Sequence, residues 1–332
     1  NAPGMTACPR RQAAPTVIDG DKIMAMRGVL RLGEVQIRVL DMAEARQHYG
    51  KYMGLHEMMT DAEGKVYFKA WDEKDHHSVV LRETDRAGLD HFAFKVHDDA
   101  ALSELQGRLE AFGLEVENVD AGVYPRSGRR LRFRIPTGQE MHLYAEKEQV
   151  GNTLGEINPG TVPDEGVIRG MRVYGLDHLF ILGPQMTENV RLFTEVFDFD
   201  LAEELVDEPG GKQILTFMSC SSRAHDIAFG LHPEPDRLHH ASFRLNSTED
   251  HVYAGDLMGK YAIPVEQNDR HGITAVKTIY FFDPSGNRNE VFAGGHTRYP
   301  DSPKLTWTMD HLGLAAFSQS LHVPESFLGV TT

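Results

Sequence analysis

Short stretches of alternating apolar and polar residues occur along the chain, and each is followed by a stretch with helical periodicity and then by further alternating stretches. Alternation at every second residue is typical of a half-buried strand, and apolar residues three and four apart are typical of a helix packed on one face. This order predicts a βαβββ module, and it occurs four times. The modules begin near Glu34, Leu89, Gly175 and Leu238.

Turn and helix-end signals support this division in the first half of the chain. Residues 34–40 alternate, residues 42–53 have helical spacing that ends at Gly54, and residues 61–64 form a hairpin signal. In the second module, residues 89–96 form the first strand. Its predicted helix carries Leu102, Leu105, Leu109 and Phe112 and ends before Gly113.

The same order returns in the second half. Residues 175–182 form a strand, a helix is predicted near residues 189–197, and residues 208–211 form a hairpin signal. The fourth module begins with residues 238–243 and continues through a helix to residues 280–290. Residues 89–94 align with residues 238–243, and residues 133–138 with residues 281–286, so one half is a copy of the other.

These patterns predict an α+β protein with two domains, each built from two βαβββ modules. Residues 148–172 are rich in Gly, Pro, Asn and acidic residues without periodicity, which is typical of a linker. A length of 332 residues also favours two domains of roughly 150 residues each. The predicted segments are an N-terminal extension (1–28), an N-terminal domain without an active metal site (29–148), a linker (149–172) and a C-terminal catalytic domain (173–332).

Composition narrows the class of protein. A hydrophobic fraction of 41% and a charged fraction of 25% are ordinary for a globular protein, and no stretch is apolar enough to span a membrane. A net charge of -15 disfavours binding to nucleic acid, which requires a basic surface. The two cysteines, Cys8 and Cys220, favour a reducing compartment, and we expect a cytoplasmic protein that binds a small molecule.

The repeat singles out three potential metal ligands among many histidines. A histidine on a strand is usually packed or hydrogen-bonded, but His178 and His240 lie on equivalent first strands of modules three and four, and Glu290 lies on the last strand. Two imidazoles and one carboxylate form the facial triad that binds non-haem Fe(II) and leaves three coordination positions open. A catechol can occupy two of these positions and O2 the third. Mn(II) suits the same ligand set.

The corresponding positions in the N-terminal half are predicted to be Gln36, His91 and His142. Because an amide is a poor metal ligand, we expect this half-site to be empty or much weaker. The N-terminal half is then a duplicated unit that supports the fold.

From about Val29 onward the chain resembles the catechol 2,3-dioxygenases, the type I extradiol enzymes of the vicinal oxygen chelate superfamily. The blocks that carry the resemblance are residues 223–229, 237–243, 270–272 and 277–292. It implies a vicinal oxygen chelate (glyoxalase-like) fold, Fe(II), a catechol-type substrate, O2 and a homotetramer. It also implies the same three metal ligands as the repeat.

The resemblance adds roles for further residues. It implies that His225 acts as acid and base beside the bound oxygen, and that His271 and Tyr280 hydrogen-bond the substrate oxygens. An imidazole titrates near neutral pH, which suits proton transfer. The residues implied to line the substrate pocket are Phe217, Ala316 and Phe327.

The chain departs from the family pattern at three places. Residues 267–269 replace a Gly-Pro-Thr type of turn, which predicts a differently placed loop before His271, and Ala275 replaces a second histidine. Ala316 stands where a bulkier aliphatic residue is common, which predicts a larger pocket and easier acceptance of 3-substituted catechols.

The predicted function is Fe(II)-dependent extradiol cleavage of catechol or alkylcatechols, giving products of the 2-hydroxymuconic semialdehyde type. The alternatives are an extradiol dioxygenase for another catecholic substrate, such as a dihydroxybiphenyl, a glyoxalase-type metalloenzyme, or a ligand-sequestering protein of the same fold. A glyoxalase requires an extra carboxylate ligand and a sequestering protein requires no triad, so both account for fewer of these residues.

Overall fold

The computed structural model describes residues 28–151 and 166–332. The predicted extension, residues 1–28, lies outside the described residues except for Gly28, as does most of the predicted linker, residues 152–165. The predicted domain boundaries therefore stay a prediction. No helix within the two described ranges is both long and apolar enough to cross a membrane.

The N-terminal described range forms one mixed sheet of eight strands in the order β2-β3-β4-β1-β5-β8-β7-β6. The antiparallel pair β1 and β5 joins two βαβββ modules at the centre of this sheet. The strands are β1 (Val29–Val39), β2 (His56–Thr60), β3 (Val66–Lys69), β4 (Val79–Glu83), β5 (Gly88–Val96), β6 (Glu117–Val119), β7 (Arg130–Arg134) and β8 (Glu140–Tyr144). The helices are α1 (Met42–Arg46), which continues as a π-helix (Gln47–Tyr52), and α2 (Asp99–Phe112).

The second described range forms a nine-stranded sheet in the order β14-β15-β16-β13-β9-β12-β11-β10-β17. Its antiparallel central pair, β9 and β13, repeats the junction of β1 and β5. The strands are β9 (Gly175–Gly183), β10 (Asp200–Val206), β11 (Gln213–Ser219), β12 (Ile227–Leu231), β13 (Arg237–Arg244), β14 (Val265–Arg270), β15 (Val276–Phe282), β16 (Arg288–Gly294) and β17 (Leu305–Thr308). The helices are α3 (Met186–Glu195), α4 (Thr248–Lys260), a 3-10 turn (Met309–His311), α5 (Leu312–Ala316) and α6 (Glu325–Gly329).

The predicted α+β fold with four βαβββ modules is confirmed. Helix α2 shows why the local signals were reliable. The Asp98 side chain caps its first turn by accepting from the Ala101 amide, and Gly113 ends it with a left-handed φ of 100°. The predicted apolar stripe faces inward, because Leu102 and Leu109 are fully buried.

Three local predictions differ from the structure. Strand β1 begins at Val29 rather than near residue 34, because Val29 still pairs with Val96 of β5. Residues 267–269 are not a loop but part of β14, where Asn268 pairs with Ile279. Strand β17 was not predicted; it adds to the sheet by parallel pairing with β10.

The two sheets pack closely at the turn between β7 and β8. The Thr137 carbonyl accepts the Asp236 amide at 3.0 Å, and the Gln139 side chain donates to the Leu182 carbonyl at 2.8 Å. Gly183 is required here, because a Cβ atom at this position would lie 2.2 Å from the Thr137 carbonyl oxygen. The halves therefore form a tight interface beside the centre of the C-terminal sheet.

Candidate metal centre

His178, His240 and Glu290 converge at the centre of the C-terminal sheet. Strand pairing places Ser242 of β13 between His178 of β9 and Glu290 of β16. One ligand atom from each of the three residues lies within 4.8 Å of the other two. Glu290 Oε2 lies 3.2 Å from His178 Nε2 and 3.4 Å from His240 Nε2, and all three side chains are buried.

Hydrogen bonds hold the Glu290 carboxylate in its charged form. The Ser242 hydroxyl donates to it at 2.5 Å, and the Thr278 hydroxyl donates to its other oxygen. Burial alone would raise the pKa of Glu290, but the hydrogen bond and the charge of His178 outweigh it and hold the pKa well below its usual range. A buried negative charge of this kind requires a cation nearby.

The two histidines are oriented by different partners. His178 Nδ1 lies 3.0 Å from Asp177, which is itself paired with Arg223, so Nε2 faces Glu290. Burial alone would lower the pKa of His178, but hydrogen bonds with Asp177 and Glu290 raise it to about 9. Burial lowers the pKa of His240 to about 4.

The three residues fit a divalent metal ion. His240 Nε2 is buried and has no hydrogen-bond partner among the described residues, although buried polar atoms in proteins are usually paired. Two imidazole nitrogens and a carboxylate oxygen at one point are the donor set of non-haem iron and manganese sites. An ion at this point would supply the missing partner of His240 and neutralise Glu290.

A cavity opens beside these three side chains. Its walls are largely apolar or aromatic, which suits a flat hydrophobic ligand. All six further residues implied by the resemblance line it: His225, His271, Tyr280, Phe217, Ala316 and Phe327. Lining residues that the sequence did not single out include Phe180, Leu215, Ile273 and Leu312; they carry no signal that distinguishes them from other core positions.

His225 lies just before β12, on a turn fixed by the side chain of Asp226. Asp226 accepts the amides of Cys220 at 2.9 Å and Ser221 at 3.1 Å. The His225 ring centroid lies 4.0 Å from that of His178, and its Nδ1 is buried without a hydrogen-bond partner in the described ranges. Burial, assisted by the nearby His178, holds the pKa of His225 well below its usual value, so the ring is a neutral base.

His271 and Tyr280 form a hydrogen-bonded pair that lines the same cavity. The Tyr280 hydroxyl lies 2.8 Å from His271 Nε2, and His271 Nδ1 donates to the carbonyl of Ala316. Burial and the Glu290 charge raise the pKa of Tyr280 well above its usual value. The pair presents a neutral phenol and an imidazole beside Glu290, whose Oε1 lies 3.7 Å from His271 Nε2.

The prediction that Gln36 is the counterpart of His178 in the N-terminal half was wrong. Val35 pairs with Val79 as Leu179 pairs with Ile227, so the residue equivalent to His178 is Glu34 and not Gln36. Gln36 instead donates to Asp90 at 2.7 Å. The other two assignments agree with the register: His91 corresponds to His240, and His142 to Glu290.

Basic side chains surround the Glu34 carboxylate. Arg130 binds both of its oxygens, at 2.7 and 2.8 Å, and Lys147 donates at 2.5 Å. His77 and His91 each lie 3.1 Å from it. Burial alone would raise the pKa of Glu34, but Arg130 and Lys147 hold it well below its usual range. Two side-chain cations therefore stand where the C-terminal half has room for an ion.

A second group of potential ligands lies next to this cluster. His91, Glu140 and His142 each offer an atom within 4.8 Å of the others. However, His91 Nε2 is already directed at Glu34, and the two imidazole rings are stacked with centroids 4.1 Å apart. The positive charges of Arg130 and Lys147 beside the group oppose a divalent cation.

Comparison with protein families matches both halves of the chain. Residues 89–148 match the model of the catechol 2,3-dioxygenase-like N-terminal domain. Residues 175–291 match the model of the glyoxalase/bleomycin resistance protein/dioxygenase superfamily. This range includes all three residues that converge at the candidate site.

Similar proteins cover nearly the whole chain. A metapyrocatechase of Pseudomonas sp. (strain CF600) is 44% identical over 92% of this chain and 99% of its own length. A manganese-dependent 2,3-dihydroxybiphenyl 1,2-dioxygenase of Geobacillus genomosp. 3 is 25% identical over 84% of this chain and 90% of its own. The solved structure of the 2,3-dioxygenase LapB from Pseudomonas sp. KL28 is 44% identical, covers 86% of this chain and all of its own, and superposes with a TM-score of 0.83.

Proposed function

Because this chain belongs to the catechol 2,3-dioxygenase (metapyrocatechase) family of extradiol enzymes, we propose that His178, His240 and Glu290 hold one Fe(II) ion at which a catechol is opened by O2. The single observation that carries the proposal is the convergence of these three buried side chains on one point beside an apolar cavity. The reaction incorporates both oxygen atoms and gives a product of the 2-hydroxymuconic semialdehyde type.

When bound, Fe(II) supplies redox chemistry and three open positions, so that a diol and O2 meet at one centre. The chain's own residues do the rest. The aromatic and aliphatic walls exclude water and position the ring, with Phe217, Ala316 and Phe327 as the proposed contacts. Holding both reactants in one geometry removes much of the entropic part of the barrier.

His271 and Tyr280 are proposed to orient the substrate oxygens. Their mutual hydrogen bond of 2.8 Å places an O–H donor and an imidazole on one wall of the cavity beside Glu290. Because the pKa of Tyr280 is raised, the phenol keeps its proton, and it would turn its O–H from His271 Nε2 to a catecholate oxygen when the substrate binds.

His225 is proposed to move the protons of the reaction. Its ring is neutral and borders both the cavity and His178. A neutral imidazole accepts a proton from the catechol and returns it at a later step, which is general acid–base catalysis. Its unpartnered Nδ1 is available for this purpose.

The test combines metal analysis with an assay of ring cleavage. The chain is purified without oxygen, loaded with Fe(II) or, separately, with Mn(II), and its metal content is measured. Catechol and O2 are then added, and O2 consumption is followed together with the yellow ring-fission product. We expect one ion per chain, more turnover with Fe(II), and one O2 consumed per catechol. Full activity in a His178→Ala variant would contradict the assignment.

A larger catecholic substrate is the second candidate. The manganese-dependent relative is named for 2,3-dihydroxybiphenyl, and the aromatic and aliphatic walls of the cavity also suit a second aromatic ring. Comparing kcat/KM for catechol and 2,3-dihydroxybiphenyl decides between them. We expect catechol to be preferred, because the metapyrocatechase shares far more of this sequence.

We also propose that the enzyme is a cytoplasmic homotetramer. The family resemblance supports the tetramer, and the content of two cysteines in 332 residues supports a reducing compartment. Light scattering of the purified chain measures the oligomeric state directly, and a monomeric mass would contradict this part of the proposal.

A further inference from the structure

His239 is buried next to the candidate metal centre, and the proposed reaction does not use it. Neighbouring residues on a strand normally point to opposite faces. Here a β-bulge between Leu238 and His240 brings the His239 and His240 rings to the same side. The His239 ring lies between Phe180 and Phe327, with centroids 4.5 and 4.7 Å away.

The hydrogen bonds of His239 determine where its proton lies. His239 Nε2 is 2.7 Å from the carbonyl oxygen of Phe327 in α6. A carbonyl oxygen can only accept, so Nε2 carries the proton, and in a neutral ring Nδ1 is then an acceptor. This Nδ1 lies 2.7 Å from Nδ1 of His240. One proton must lie between these two nitrogens, and His240 donates it.

The surroundings of His240 select the direction of this hydrogen bond. If His239 donated instead, a neutral His240 would carry its proton on Nε2. That atom is buried without a hydrogen-bond partner among the described residues, so a proton there would be unsatisfied. The arrangement in which His240 donates from Nδ1 leaves no such unpaired donor.

We propose that His239 is a positioning residue that fixes His240 as the Nδ1–H tautomer and so leaves the lone pair of Nε2 free to bind the metal. The proposal rests on the proposed metal site. It accounts for the otherwise unpartnered Nε2, which lies 3.4 Å from Glu290. Asp177 does the same for His178 through a carboxylate, so the two ligand histidines are oriented by different chemistry.

The N-terminal half provides an internal comparison. There the bulged residue at the position of His239 is Asp90, and the residue at the position of His240 is His91. Asp90 binds Arg82 and Gln36, whereas His91 is directed at Glu34. The hydrogen bonds that link the Phe327 carbonyl, His239 and His240 therefore occur in the C-terminal half, where the three proposed metal ligands converge.

Three variants separate orientation of His240 from anchoring of α6. His239→Asn places an amide oxygen near the former Nδ1 and still accepts from His240, but it does not reach Phe327. His239→Gln extends its amide nitrogen toward the Phe327 carbonyl and leaves no acceptor for His240. His239→Leu removes both contacts. Thermal unfolding of each metal-free protein checks that the variants fold.

The deciding measurement is the affinity of the metal-free chain for Fe(II) and Mn(II), obtained by competition with a chelator of known affinity. We expect His239→Asn to stay within about threefold of the wild type and the Gln and Leu variants to bind about 10- to 100-fold more weakly, the usual effect of losing a residue that orients a ligand. Equal affinities, or a Gln variant that binds better than the Asn variant, would overturn the proposal.

The outcome also distinguishes this inference from the proposed function. If the affinities follow this order but catechols are not cleaved, the positioning role stands and the proposed reaction is wrong. If catechol is cleaved at an unchanged metal affinity in all three variants, the reaction stands and the role of His239 is wrong. A wild-type chain that binds neither ion overturns both.

Discussion

Glu34 in the N-terminal sheet occupies the register position that His178 occupies in the C-terminal sheet. The side chains at the two positions belong to opposite charge types, a base at His178 and an acid at Glu34. His178 faces a carboxylate that has room for an ion, whereas Glu34 is itself a carboxylate bound by Arg130 and Lys147. The duplicated units therefore keep one backbone and differ in the source of the positive charge.

Replacing Lys147 by Met should destabilise the protein. Lys147 is buried and donates to Glu34, so its loss removes one cation from a buried charge cluster. The expected cost is about 3 kcal/mol, the lower end for breaking a buried ion pair, because Arg130 remains. The free energy of unfolding in urea measures it. Lys65→Met, which removes the pairing with the exposed Glu63, is the control and should cost less than about 1 kcal/mol. Equal effects of the two substitutions would contradict the buried role.

Glu290→Gln should abolish tight metal binding. The amide keeps the shape, and its one oxygen can still accept from either Ser242 or Thr278, but the charge that attracts the cation is gone. We expect the affinity for Fe(II) to fall more than about 100-fold, beyond the effect of losing an orienting partner. Glu140→Gln in the N-terminal half is the matched control. If that control lowers the number of ions bound per chain, the N-terminal group also holds a metal.

His225→Asn should slow turnover and leave metal content unchanged. His225 borders the cavity but is not one of the three residues that converge at the candidate centre. Loss of a general acid–base residue lowers kcat by about 100- to 10,000-fold. Metal analysis and steady-state kinetics on the same sample provide both values. His97→Asn, at an exposed position, should change neither. Loss of the ion from His225→Asn would show that His225 is a ligand.

Ala316→Ile should narrow the substrate pocket. The Ala316 side chain lines the cavity while its backbone carbonyl holds His271, and the substitution alters only the former. We expect the ratio of kcat/KM for 3-methylcatechol over catechol to fall by about tenfold, which is the scale of a misplaced methyl group. Leu314→Ile, on an exposed side of α5, is the control. An unchanged ratio would remove Ala316 from the specificity determinants.

Asp90 should make stability depend on pH in acid. Burial alone would raise the pKa of Asp90, but hydrogen bonds from Arg82 and Gln36 outweigh it and lower the pKa to about 2, below the unfolded value of 3.8. The charged carboxylate therefore stabilises the fold fully above about pH 4, and this contribution is lost as the pH falls toward about 2.

The contribution of Asp90 is about 1 to 2 kcal/mol, after allowance for the part-exposed Arg82. Urea unfolding of the wild type and of Asp90→Asn at about pH 6 and about pH 3 measures it. The difference between the two proteins should shrink by about half at the lower pH. A difference independent of pH would contradict this reasoning.

The modules and most turns could be predicted because each depends on local periodicity. The error at Glu34 has a physical cause. Strand side chains repeat every two residues, so a shift of two positions, from Glu34 to Gln36, keeps the same face and leaves the alternation unchanged. Only the pairing of Val35 with Val79 in the folded sheet reveals the register.

Other features depended on contacts distant in sequence. Strand β17 has four residues and pairs with β10 about a hundred positions earlier, so it carries little local signal. The role inferred for His239 depends on a bulge and on a carbonyl 88 residues away. The three converging residues were predictable because the repeat and the family motifs mark them.

The basic pair at Glu34 has a consequence for a chain whose proposed metal ion is missing. Arg130 and Lys147 are covalent parts of the chain, so the N-terminal half keeps the positive charges that balance Glu34 at any concentration of metal ion. An exchangeable ion at the proposed site would stabilise the C-terminal half only by an amount that rises with the logarithm of its free concentration above the dissociation constant. A shortage of the ion would therefore lower the stability of the C-terminal half and leave the charge cluster around Glu34 unchanged.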